Sequence, residues 1–304
     1  MKKLLVSMLS VILVLTFATS FSSCSHPKKR KEILEQFREI ECSGEYFFVA
    51  EKGYTTKTEK CSFRDLILQK MEQDGVNTEY LAGISQTIYY NGFVSFCEKY
   101  TPNNGNSLEN EKYVLGYINL SNFSVQAFYQ TINSSVVKPY GANESYFIFL
   151  DMVQNNYYII DRKTNIVLKN IDNITPYLVE KEQNIYVENG VEYKIDETNK
   201  TQLIKIVDGE EQIAKEFTIN YVLERSIEMQ EIEQIIKNVS SGAKESEIEL
   251  MICNNELFII RESKMTMMGR GVLYPLVFKY TMETDSFEYV GCSEHHDLIA
   301  IIKA

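Results

Sequence analysis

The sequence predicts a mostly-β fold of repeated short antiparallel strands behind a small N-terminal helical segment. Three observations point there. Tyrosine (20) and phenylalanine (16) are plentiful, tryptophan is absent and proline stops at 5, a composition that favours strands. Turn-forming pairs such as Asn91-Gly92, Asn189-Gly190, Asp208-Gly209 and Asn254-Asn255 recur between apolar runs. A strand–turn–strand unit also returns several times along the chain.

The first element is a leader. Met1-Lys2-Lys3 is cationic, residues 4–18 are almost wholly apolar, and small polar residues lead to Cys24. These are the three parts of a secretory signal. The apolar run is short of the roughly twenty residues that a membrane-spanning helix needs. Phe21-Ser22-Ser23-Cys24 resembles the lipobox of bacterial lipoproteins, with Phe21 standing where that family prefers an aliphatic residue. The resemblance covers the first 24 residues. It implies cleavage after residue 23, lipid on Cys24, and attachment to the extracytoplasmic face of the cell membrane by at least two acyl chains. One chain alone binds only marginally. Residues 24–32 then read as a lipidated tether, in which Lys28-Lys29-Arg30-Lys31 would add about 1 kcal/mol each near anionic headgroups.

Without residues 1–23 the chain has 281 residues, enough for one large domain or two modest ones. Hydrophobic residues make up 44% and charged residues 24%, so the chain has the means to fold. The formal charge is −11, and loss of Lys2 and Lys3 takes it to −13. An acidic surface of this size repels phosphate backbones, which argues against a nucleic-acid partner.

Residues 33–80 read as a helix and hairpin segment. Ile33, Leu34, Phe37 and Ile40 fall at helical spacing over 31–41. A strand over 45–50 precedes a turn at Gly53. Ser62-Phe63-Arg64-Asp65 is a capping-box variant that opens a second helix, which Gly75 ends. Cys42 and Cys61 flank the hairpin centred near Lys52-Gly53, where they would lie opposite each other. A disulfide and two buried thiols are both open readings, since export permits the first.

Residues 81–304 read as short strands, beginning with the hairpin 87–90, Asn91-Gly92, 93–100. Further strands are expected over 113–119, 124–130, 146–152, 157–161, 166–170, 185–188, 191–195, 203–207 and 216–223. The last ones fall at 250–253, 257–261, 272–280, 287–290 and 298–302. A helix over 226–238 interrupts them. The recurring unit has anchors at Asn119, Asp161, Asp196 and Thr281, spaced 42, 35 and 85 residues apart. A period near 40, read as an aromatic strand, a polar turn and a second strand, is that of propeller blades. The stretch from Val277 to Glu288 resembles the outer hairpin of a kelch-type β-propeller blade, with Phe287 where that family usually has Trp and without its paired glycines. A diverged β-propeller-like fold is therefore expected. A β-sandwich or an α+β fold would give similar strands.

Little in the chain reads as catalytic. His295-His296 with Asp297 and Cys292 is the one histidine cluster in this part, and it lacks the setting of a nucleophile pair. Met265-Thr266-Met267-Met268 reads as a methionine-rich loop, and no cysteine pair has metal-ligand spacing. No catalytic residue, metal site or cofactor is assigned. The expected function is a membrane-anchored module that binds or scaffolds an envelope protein or glycan. A carbohydrate-active enzyme on a propeller scaffold and a solute-binding lipoprotein of an importer are the alternatives.

Overall fold

The computed structural model describes residues 26–56, 60–82, 86–102, 112–178, 185–239, 248–267, 270–294 and 297–303. Helix α1 (His26–Glu39) comes first and already covers most of the expected tether. Ile33, Leu34 and Phe37 lie on the face that packs inward and are buried. The end of α1 is pinned: the Tyr289 hydroxyl donates to the Phe37 carbonyl at 3.1 Å, and Arg38 pairs with Glu294.

The strands of the described residues form five antiparallel sheets, so the fold is mostly β. Sheet I takes β1 (Tyr46–Ala50), β2 (Gly53–Thr55) and β3 (Lys60–Ser62). Helix α2 (Phe63–Gln73) follows, burying Phe63, Ile67 and Met71. Ser62 occupies its N-cap position but makes no side-chain cap bond, so the expected capping box does not form.

In sheet II, β6 (Phe93–Pro102), β7 (Lys112–Asn119) and β8 (Ser124–Thr131) run side by side. The free edge of β6 is shared by β4 (Thr78–Leu81) and β5 (Thr87–Tyr90). Sheet III is β9 (Val137–Ala142), β10 (Tyr146–Asp151), β11 (Asn156–Asp161) and β12 (Ile166–Ile171).

Sheet IV is β13 (Tyr186–Glu188), β14 (Val191–Ile195), β15 (Gln202–Val207) and β16 (Glu210–Glu216). Helices α3 (Ile219–Leu223) and α4 (Ile227–Val239) lead to sheet V. That sheet is β17 (Ile248–Cys253), β18 (Glu256–Met267), β19 (Arg270–Thr281) and β20 (Ser286–Cys292). The last strand, β21 (Leu298–Lys303), does not start a sixth sheet. It pairs with β1 and completes sheet I, with Tyr46 opposite Lys303 and Phe48 opposite Ile301.

This pairing redraws the expected boundaries. Residues 46–62 share a sheet with residues 298–303, and residue 80 lies inside β4. The segment before residue 81 is thus part of the same β architecture. The cores also tie neighbouring sheets together. One cluster is shared by sheets V, I and II, a second by sheets II and III, and a third by sheets IV and V with α1 and α4.

Local chemistry explains where the expected strands differ. The stretch 216–223 reads as a strand from its apolar residues, but Thr218 caps a helix there, accepting the Tyr221 N–H at 3.1 Å. Strand β9 contains Pro139 and Gly141, and β16 is mostly polar, so neither carries an apolar signal. The repeat anchors are turn positions. Asn119, Asp161 and Thr281 each begin the turn between the third and fourth strands of a sheet. The fifth residue of each turn is left-handed: Phe123 (φ 54°), Asn165 (φ 55°) and Asp285 (φ 52°). Asp196 instead lies between the second and third strands of sheet IV, one hairpin out of phase.

Cys42 and Cys61 do not face each other. Symmetry about residues 51 and 52 would place them opposite only if β2 continued to residue 61. The chain turns back after Thr55, and Cys61 returns on β3 opposite Tyr54. The two side chains pack against different cores, and no disulfide joins them.

Candidate ligand-binding site

Turns gather at one end of sheets II and III, and they build the site. Asn91-Gly92 joins β5 to β6 with both residues left-handed (φ 41° and 78°), a type I′ geometry that sets Tyr90 opposite Phe93. Residues 143–145 join β9 to β10. There Asn143 is buried, and its side-chain oxygen accepts the Ser145 and Tyr146 N–H groups at 2.9 and 2.8 Å. In the turn from β11 to β12 the Asp161 carboxylate accepts the Lys163 and Thr164 N–H groups at 2.9 and 3.0 Å. Backbone donation from Thr164, then Lys163, holds that carboxyl below its ordinary value.

Arg162 follows Asp161 as the second residue of this last turn. Its backbone N–H donates to the Ser145 carbonyl at 2.8 Å, which clips the two turns of sheet III together. Its side chain leans across to sheet II. The guanidinium carbon sits 4.1 Å from the centre of the Phe93 ring and 5.2 Å from that of Phe147. Nη1 donates to the Asn143 carbonyl at 3.1 Å. Tyr117 stands beside it, its ring 4.9 Å from Phe147 and its hydroxyl donating to Asn165 Oδ1 at 3.0 Å.

The group is half-buried, and burial pushes the guanidinium below its ordinary value, opposed by Tyr117, Tyr90 and Glu144. Among the described residues no carboxylate pairs with Arg162. Tyr90 and Phe93 are likewise only half-buried, while Glu144 is exposed. The arrangement is a planar cation on an aromatic seat with most of its N–H donors unspent.

The other charged clusters are closed on themselves. Asp285 accepts hydrogen bonds from Lys215, Tyr221, Tyr280 and, at 3.2 Å, from Arg225. Burial would raise this carboxyl, but hydrogen bonds from Lys215, Tyr221 and Tyr280 and the Lys215 charge hold it well below the usual range. Glu256 takes Lys279 and the Tyr46 hydroxyl, tying sheet V to sheet I. Arg261, wholly buried, pairs with Glu233 of α4. These knots hold elements together.

The residues singled out by sequence are scattered. Cys24 and His295-His296 lie outside the described residues, as does the tip of the β18–β19 hairpin that carries Met268 and Gly269. Cys292 is buried at the end of β20, and burial pushes its thiol up to about 12. Burial likewise takes Cys253 to about 11. Among the described residues no group of histidine, cysteine and acidic side chains is placed to hold a metal ion. No helix among them is long and apolar enough to cross a membrane. Sequence reasoning missed Arg162. It found the turn that carries the residue, but the aromatic seat comes from another sheet, and no spacing along the chain announces it. Compared with known proteins, the chain matches no family model, and no curated protein matches it.

Proposed function

We propose that the protein is a lipid-anchored module on the extracytoplasmic face of a bacterial membrane, binding an envelope protein or glycan. In the same reading its five sheets are the blades of a five-bladed β-propeller. The leader and the Phe21-to-Cys24 sequence support export and lipid attachment. Helix α1 begins two residues after Cys24, so the anchor is coupled closely to the fold. Five antiparallel sheets of four or five strands, with cores shared between neighbours, support this reading, and in it the pairing of β21 with β1 would serve as the clasp of the ring.

The observation that carries the binding reading is Arg162, a half-buried cation on an aromatic seat in a strongly acidic chain, with no carboxylate of its own among the described residues. Two measurements test the proposal. Intact mass of the mature N-terminal peptide should show acyl chains on Cys24, and Cys24→Ser should move the protein to the soluble fraction. An unmodified N-terminus overturns the anchor. Binding to purified envelope glycans should fall in Arg162→Gln, and unchanged binding removes the assigned site.

A further inference from the structure

We propose that the Arg162 site recognises the carboxylate of an acidic sugar. This rests on the reading of the protein as a binding module and names the ligand class of its site. The argument begins with charge. The sequence holds 42 acidic against 31 basic residues, so a half-buried cation has every statistical chance of meeting a carboxylate. Arg38, Arg225 and Arg261 do so, through Glu294, Asp285 and Glu233. Arg162 does not. Its Nη1 is engaged by the Asn143 carbonyl, and the remaining N–H groups of the guanidinium have no acceptor among the described residues. Arg64 shares the lack of a carboxylate but not the setting; it donates to the Leu81 carbonyl at 3.3 Å, with no ring stacked on it among the described residues.

Planarity selects the ligand. With its carbon 4.1 Å from the centre of the Phe93 ring, the guanidinium is held against that ring while all but one of its donors lack an acceptor among the described residues. Two parallel N–H groups fit a carboxylate in bidentate fashion, where an ammonium would act only as a point charge. The surrounding rings select the rest. Tyr90, opposite Phe93 in the hairpin, is half-buried near the cation, and Tyr117 backs the seat as a buried ring with its hydroxyl given to Asn165. A sugar acid has the matching features, with a carboxylate for the guanidinium and a C–H face for a half-buried aromatic ring such as Tyr90 or Phe93. Glu144 is exposed on the neighbouring turn, and its charge disfavours ligands carrying more than one negative group.

The test uses the exported chain with Cys24→Ser, so the outcome is independent of the lipid anchor. Glucuronate is titrated by ligand-detected NMR beside glucose and N-acetylglycine, the latter standing for a peptide carboxyl terminus. The inference expects saturable glucuronate binding, weakened at least tenfold by Arg162→Lys and by Arg162→Gln, with glucose bound at least tenfold more weakly. Tyr90→Ala should weaken glucuronate several-fold while leaving Arg162 in place. Thermal unfolding of Arg162→Lys, expected within a few degrees of the parent, separates loss of contact from loss of fold. N-acetylglycine bound as tightly as glucuronate overturns the sugar assignment, and glucuronate binding untouched by Arg162→Gln overturns the site. Loss of the sugar assignment while Arg162 still governs binding to envelope material would leave the broader binding reading standing.

Discussion

Among the described residues, two places set a cation on aromatic rings between neighbouring sheets, and they end differently. At the junction of sheets IV and V, Lys215 lies 4.6 Å from the Tyr221 ring and 4.8 Å from the Tyr280 ring, and Asp285 closes the cluster from below. At the junction of sheets II and III, Arg162 lies over Phe93 with no carboxylate among the described residues. The same chemistry therefore does two jobs. A carboxylate supplied by the chain turns the cation into a clamp for α3 and the β19–β20 turn. Without one, the remaining guanidinium donors have no acceptor among the described residues, which is what the proposed ligand would supply. In the proposed reading, unspent hydrogen-bonding capacity, rather than the number of charges, distinguishes a recognition site from a scaffold.

The scaffold beneath the Arg162 site should show the largest effect. Gly116 on β7 sits opposite Phe96 on β6 and Ala127 on β8. A Cβ there would lie 2.1 Å from the Gln126 carbonyl oxygen and 2.6 Å from the Phe96 ring. The oxygen is backbone and cannot give way without opening the ladder. Gly116→Ala should therefore cost on the order of 3 kcal/mol or more in urea unfolding. A cost under about 1 kcal/mol would show that sheet II is more pliable than this packing implies.

The clamp comes next. Asp285→Ala leaves Lys215 and Arg225 without their carboxylate and removes the acceptor of the Tyr221 and Tyr280 hydroxyl protons, Tyr280 still accepting from Lys215. Charge-assisted hydrogen bonds contribute about 1.5–3 kcal/mol each at most, and partial exposure of the site discounts this. A loss of about 1–3 kcal/mol is expected for the cluster. Its pH dependence has a definite sign. The folded carboxyl lies below its ordinary value of 3.8. Its contribution is thus full above that value and disappears as pH falls through the folded-state value. Asp285→Asn should flatten the acid limb of stability below about pH 4, relative to the parent chain, in urea titrations at stepped pH. An unchanged acid limb would mean that other carboxylates set it.

How far the sequence foretold this follows from which signals are local. Type I′ turns at Asn91-Gly92, Asn189-Gly190 and Asp208-Gly209 were readable because their left-handed backbone selects Asn, Asp and Gly. So were most strands with an apolar face, and the helix over 227–239, where the Ser226 hydroxyl accepts the Met229 N–H. Edge strands were not. β16 lies at the rim of its sheet and needs no apolar pattern, and β3 is only three residues long. The joining of β21 to β1 was hidden for a different reason: it pairs residues some 250 positions apart, and nothing local encodes a partner. The site was hidden in the same way. Asp161 and Asn165 were legible as a turn, while the meaning of Arg162 depends on Phe93 and Phe147 arriving from elsewhere.

The smallest expected effect is also the sharpest test of the comparison. If Arg162 is held for a ligand rather than for the fold, removing its charge should barely alter stability. Arg162→Leu keeps an apolar body against Phe93 and gives up one bond to the Asn143 carbonyl and the cation–ring attraction, which contributes about 0.5–1 kcal/mol at such a half-exposed site. It also removes a desolvated charge that no carboxylate compensates, and these terms oppose each other. The net change in unfolding free energy should stay within about 1 kcal/mol of the parent, against the larger loss for Asp285→Ala. If Arg162→Leu proves the more damaging of the two, the guanidinium is a structural strut between sheets II and III, and the distinction between clamp and recognition site collapses.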